Sequence, residues 1–245
     1  MGLPVRPVLR PLHVVFGEAR ELMPRVVSDL LGRFVDYGPY GVLLSRSPTP
    51  LLGPSMVNDA CPVLSALRAR LGGSIIPRPY EDAIAGIAFG EAVHEAYLTR
   101  LVEWNPGWVV QVGTHYEVVM DGLDIGFSPD ALLGRGGEWH VVEVKSGRPR
   151  QSHLVQLALY WLLLRDYYDL GGAWLVSQGG ILNIGPEDLA AYARQGLDYL
   201  RAVKEVLDSW SGDRPGVVIR GRCPCTFANA CPVYRGLVQY LEAPR

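Results

Sequence analysis

The sequence predicts an α/β fold with a mixed central sheet flanked by helices, on three observations. An apolar-periodic stretch from Glu81 to Glu103 has helical spacing, a run of strand signals extends from Val109 to Val144, and helical and strand patterns then alternate to about Trp210. With 245 residues, 49% of them apolar and 20% charged, the chain can bury one sizeable domain with an elaboration, or two small domains. A net charge of −2 argues against a passive nucleic-acid coat but leaves room for a local basic groove.

The elements follow in order. Residues 1–57 are proline-rich and poorly periodic, with one helix around Gly17 to Val35 interrupted by Pro24; they predict a docking arm or small irregular subdomain ahead of a domain over 58–245. Asn58 to Leu71 reads as a helix, capped by Asn58 or Asp59 and holding Cys61 and Pro62 in its first turn. Glu81 to Glu103 is a stronger helix, with Ile84, Ile87, Ala88, Val93, Tyr97 and Leu98 on its apolar positions and Pro106-Gly107 as the stop.

Val109 to Met120 is β-rich, Asp121-Gly122 marks a turn, and Leu123 to Phe127 returns. Ala131 to Leu133 and Trp139 to Val144 flank the turn Gly134-Arg135-Gly136-Gly137, giving an antiparallel meander with Asp130 and Glu143 on neighbouring strands. A helix from Ser152 to Tyr168, strands at Ala173 to Ser177 and Ile181 to Ile184, and a long helix opened by Pro186 complete the series. The longest apolar stretch, Leu154 to Leu164, is broken by Gln156 and falls short of the ~20 residues of a bilayer span. With no secretion signal at the N-terminus, a cytoplasmic protein without membrane contact is expected.

Lys145 is one of only two lysines beside twenty-one arginines, and it ends the run Glu143-Val144-Lys145. Residues two apart on a strand project from one face. Asp130 lies thirteen positions before Glu143. Two carboxylates able to hold a divalent cation, with a compact ammonium beside them, suit phosphodiester hydrolysis. Alone the pattern is modest, since a surface strand carries Glu and Lys for solubility as well. Two additions strengthen it: His94, on the helix before the strands, and Gln156 with Tyr160, four apart and so on one face of the next helix.

In this order and spacing the residues resemble the RecB-like branch of the PD-(D/E)xK nucleases, over residues 58–235. The resemblance implies a restriction-endonuclease-like core. It also implies that His94, Asp130 and Glu143 ligate Mn²⁺ or Mg²⁺, with the Val144 carbonyl a further ligand. Lys145 would orient the attacking water or stabilise charge on the phosphate, and Gln156 and Tyr160 would hold the lysine or the DNA backbone. His13, His115, His140 and His153 are left as structural or surface residues.

Cys61, Cys223, Cys225 and Cys231 are all the cysteines there are. Four thiolates suit an iron–sulfur cluster or structural zinc, and a Cys223–Cys225 disulfide would be strained. One cysteine before and three after a RecB-like core resembles the iron–sulfur nucleases, among them the CRISPR-associated Cas-four family. That resemblance implies a cysteine-clamped helical subdomain. Pro224 alone separates Cys223 from Cys225 where the family has two residues; [4Fe–4S] is the first choice, with [2Fe–2S] or zinc as alternatives.

Arg148 and Arg150 directly follow Lys145-Ser146-Gly147, and Arg68, Arg70, Arg78, Arg214, Arg220 and Arg222 flank the cysteines; a DNA groove and scattered solvated charge explain them equally well. The family likeness implies a metal-dependent DNA exonuclease acting on single strands or frayed ends, trimming fragments for CRISPR spacer acquisition with integrase partners. A stand-alone repair or recombination nuclease and a non-catalytic DNA-end-binding assembly factor are the alternatives.

Overall fold

A computed structural model of the chain describes residues 6–36, 40–45, 52–59, 61–77, 79–211 and 214–215. Helix α1 (Phe16–Gly32) follows a 3-10 turn at Leu12–Val15. Strands β1 (Phe34–Asp36) and β2 (Tyr40–Leu44), joined after α2 (Pro62–Leu71) by β3 (Gly73–Pro77), make an antiparallel three-stranded sheet in the order β1-β2-β3. Helix α3 (Tyr80–Trp104) then crosses the molecule.

Two expectations for this half need correction. Pro24 lies inside α1 without ending it. A mid-helix proline costs about 3 kcal/mol, and burial of Ala19, Val26 and Leu30 against α3 offsets that cost. Where they are described, the first 57 residues pack on the rest of the fold: Leu12, Val15 and Leu30 share one apolar core with Ala88, Val93 and Tyr97 of α3. Prolines erase local periodicity, whereas the order here comes from long-range packing. Helix α2 starts at Pro62 with Cys61 as its N-cap, and Pro54–Asn58 forms a separate 3-10 turn, because the fixed φ of proline suits the first helical position.

The second half holds β4 (Val109–Val112), β5 (Tyr116–Met120), β6 (Leu123–Phe127), β7 (Ala131–Arg135) and β8 (Glu138–Lys145), then α4 (Gln151–Leu164), β9 (Asp169–Ser177), β10 (Gly180–Ile184) and α5 (Pro186–Asp208). The main sheet is mixed and five-stranded, ordered β10-β9-β8-β7-β4, with β8 and β9 parallel and the other neighbours antiparallel. It is not a simple meander. Strand β4 pairs with β7, and β5 and β6 leave the sheet as their own hairpin, turned by Asp121 (φ 52°) and Gly122 (φ 73°).

Strand alternation builds a core on each face. Ala131, Leu133, Val142, Val144 and Val176 pack with α1 and α3, whereas Leu132, Val141, Ala173 and Leu175 pack with α4 and α5. Helix α4 is buried nearly all round, the pattern of a helix sandwiched between a sheet and a second helix. Its outer partner α5 closes on it at Gly196, where a Cβ would come within 2.6 Å of the Leu159 side chain. Among the described residues no helix is long and apolar enough to cross a membrane.

Candidate functional site

The end of β8 carries the candidate chemistry. Alternation sends Val142 and Val144 into the α3 core and leaves Glu143 and Lys145 on the opposite face, which α4 covers. Glu143 is 1% exposed, and Lys145 Nζ lies 2.6 Å from its Oε1. The other oxygen, Oε2, is buried without a hydrogen-bond partner. A buried acceptor left unmatched is costly and calls for an explanation.

Asp130 immediately precedes β7, next to β8. The Val144 N–H donates to its Oδ2 at 2.7 Å, and His94 Nδ1 of α3 lies 3.5 Å from its Oδ1. Gly90, one turn earlier on α3, lets the helix close on the end of β8: a Cβ there would meet Ser146 Oγ at 3.2 Å.

These groups feel one another. Burial, then the charge of Asp130, pushes Glu143 up to about 7 against the pull of Lys145. For Asp130, burial opposes ionisation, but the charges of His94 and Lys145 and the Val144 N–H prevail and hold it below the usual carboxylate range. Burial disfavours the charged forms of His94 and Lys145, yet the two acids raise both.

The structure therefore brings the expected residues together as two pairs, His94 with Asp130 and Glu143 with Lys145. Among the described residues no three acid, imidazole or thiol groups gather into a ready-made metal cage. The donor set nevertheless fits a divalent cation, because two mutually repelling acids, one with an unpartnered oxygen, and an imidazole are ligands that Mn²⁺ or Mg²⁺ accepts.

Gln156 and Tyr160 are bonded to each other, Nε2 donating to the phenol oxygen at 2.8 Å. At 3% and 4% exposure they are buried, so a DNA backbone does not reach them; α4 turns this face inward. Gln156 Oε1 accepts from Asn58 Nδ2 at 2.7 Å. Sequence reasoning missed Asn58 as a partner, since a lone asparagine ahead of a helix reads as a cap.

It missed His153 too. Arg150 caps α4, and its backbone N–H donates to His153 Nδ1 at 3.2 Å. Burial, then the charges of Lys145 and Arg150, drives this imidazole from 6.5 down to about 4. Unfolded chains bind that proton below 6.5 while the fold refuses it, so the stability His153 contributes is present above 6.5 and is lost as pH falls towards 4. His153→Gln is expected to flatten the decline of unfolding temperature across that interval; an unchanged decline would show that His153 does not titrate this way.

Arg148 and Arg150 are exposed beside the end of β8. Arg68 instead pairs with Asp59 and donates to Ser74, so it is held within the fold. A cleft of about 990 Å³ between α1 and α3 reaches His94, but its cations are matched by acids: Arg25 pairs with Glu95, and Arg33 with Asp29 and Glu91. Phosphates would gain little there, and the Arg148–Arg150 side is the better approach for a polyanion. Cys61 is half-buried at the start of α2. Arg78, Arg220, Arg222, Cys223, Cys225 and Cys231 lie outside the described residues.

No family model matches the chain. Among solved structures it is similar to one described as "Crystal structure of SSO0001", with 18% identity, coverage of 87% of this chain and 95% of that one, and a TM-score of 0.45.

Proposed function

We propose that the chain is a metal-dependent deoxyribonuclease with a RecB-like PD-(D/E)xK core over residues 58–245, acting as an exonuclease on single strands or frayed ends. The observation that carries the reading is the buried, unpartnered Oε2 of Glu143, on a side chain that shares its surroundings with Asp130, Lys145 and His94. In this reading His94, Asp130, Glu143 and the Val144 carbonyl hold the divalent cation. When bound, the cation supplies charge neutralisation at the scissile phosphate and acidifies a water molecule.

The chain's own groups do the rest. The Val144 N–H fixes the Asp130 carboxylate, leaving Oδ1 towards His94. Lys145, held by Glu143, carries a positive charge to the place where charge builds on the phosphate. Arg148 and Arg150, exposed beside it, take the flanking phosphates. The assay is direct: with Mn²⁺ the purified protein converts end-labelled single-stranded DNA to short products and chelation stops it, whereas intact DNA under all conditions rejects the reading.

On the resemblance to the CRISPR-associated Cas-four family, the activity would trim DNA for spacer acquisition beside integrase proteins. That resemblance also makes Cys61, Cys223, Cys225 and Cys231 the ligands of an iron–sulfur cluster that staples α2 to the tail. Protein purified without oxygen is expected to absorb near ~400 nm and to contain iron. A colourless, iron-free protein holding zinc would make the clamp a zinc site, and one holding neither metal would remove it.

A further inference from the structure

We propose, resting on the nuclease reading, that the cleft between α1 and α3 holds an unpaired nucleobase of the DNA strand whose phosphate lies at the end of β8. The cleft, about 990 Å³, is lined in part by His94, and His94 Nδ1 lies 3.5 Å from Asp130 Oδ1. A nucleoside bonded to a phosphate held there carries its base into the space that adjoins His94, and this cleft adjoins it. Clefts of about 300–1,000 Å³ are the size that takes small organic ligands.

The lining favours a base over the backbone. Three carboxylates, Asp29, Glu91 and Glu95, face the cleft against two guanidiniums. Both guanidiniums are engaged: Arg25 pairs with Glu95, while Arg33 gives Nη1 to the Leu44 carbonyl at 2.8 Å and Nη2 to Asp29 at 3.1 Å. A phosphate entering here meets more negative charge than positive, whereas a neutral ring is not repelled. Apolar surface completes the lining. Leu98 is half-buried, and Val102 of α3 and Val112 of β4 are 50% and 44% exposed. A flat ring inserted beside them would take that apolar area out of water. The ion pairs set donors beside acceptors, the mixture that a base edge presents. A base paired in a duplex has its edge covered and cannot enter, which gives a physical reason for acting on single strands or frayed ends.

Binding measured without divalent cation tests this before any bond is cut. Labelled single strands are compared by fluorescence anisotropy with strands whose terminal nucleotides, at one end or the other, are abasic and so keep every phosphate. The strand lacking bases at the end that enters the site is expected to bind about 10-fold more weakly than the intact one. Val102→Asp puts a carboxylate on the apolar lining at an exposed helix position. It repels the phosphates of both strands alike, but only the base meets it in the cleft, so the ratio between the two strands should fall towards unity. Val112→Asp should do the same from β4.

Equal binding of the intact and both abasic strands, or an undiminished ratio in either variant, would overturn the proposal. Protein that shows these ratios but leaves DNA whole with Mn²⁺ would reject the nuclease reading alone. Protein that cuts DNA without showing them would reject the base site alone.

Discussion

Asp130→Ala is expected to lower Mn²⁺-dependent DNA hydrolysis on the order of 10³-fold or more. Asp130 is the point where the site's elements meet: β8 reaches it through the Val144 N–H, and α3 through His94. Removing it takes away what the nuclease reading makes an anionic ligand, and strands a backbone donor, which costs about 1–3 kcal/mol of stability. Asp130→Asn separates the two effects, because its amide oxygen still accepts from Val144 while the charge is gone. The same loss of activity with near wild-type unfolding temperature is expected. An asparagine variant keeping more than about a tenth of the activity would show that the charge of Asp130 is not required.

Tyr97→Ala is expected to give the largest loss of stability, about 3–5 kcal/mol by urea unfolding. The ring is fully buried and meets Trp104 edge-on at 5.3 Å. Its hydroxyl donates to the Arg10 carbonyl at 2.9 Å and accepts the Arg10 N–H at 3.1 Å, tying the N-terminal segment to α3. Burial pushes this phenol up to about 12, so it stays neutral and able to donate. Tyr97→Phe, which keeps the ring, should cost about 1 kcal/mol. If Tyr97→Ala costs less than that, the first residues do not pack on α3 as described.

What the sequence made legible was local. The Asp121-Gly122 turn, the helical period before Pro106-Gly107 and proline as the opener of α5 each depend on neighbours in the chain. Same-face spacing likewise placed Glu143 with Lys145, now 2.6 Å apart, and Gln156 with Tyr160, now 2.8 Å apart. Pairing over distance was not legible. Nothing in the composition of Val109–Val112 says that it skips a hairpin to join β7. Short strands such as Tyr40–Leu44, set among glycines and prolines, lack an alternation long enough to read. Asn58 and His153 were missed because a single polar residue acquires meaning only from a partner that folding brings to it, Gln156 in one case and Lys145 in the other.

Anomalous diffraction from crystals soaked in Mn²⁺ tests the central claim most directly. The account predicts one peak at the end of β8, with His94, Asp130 and the now-partnered Glu143 Oε2 turned onto it. Crystals that show no peak there, with Glu143 still closed on Lys145, would contradict it.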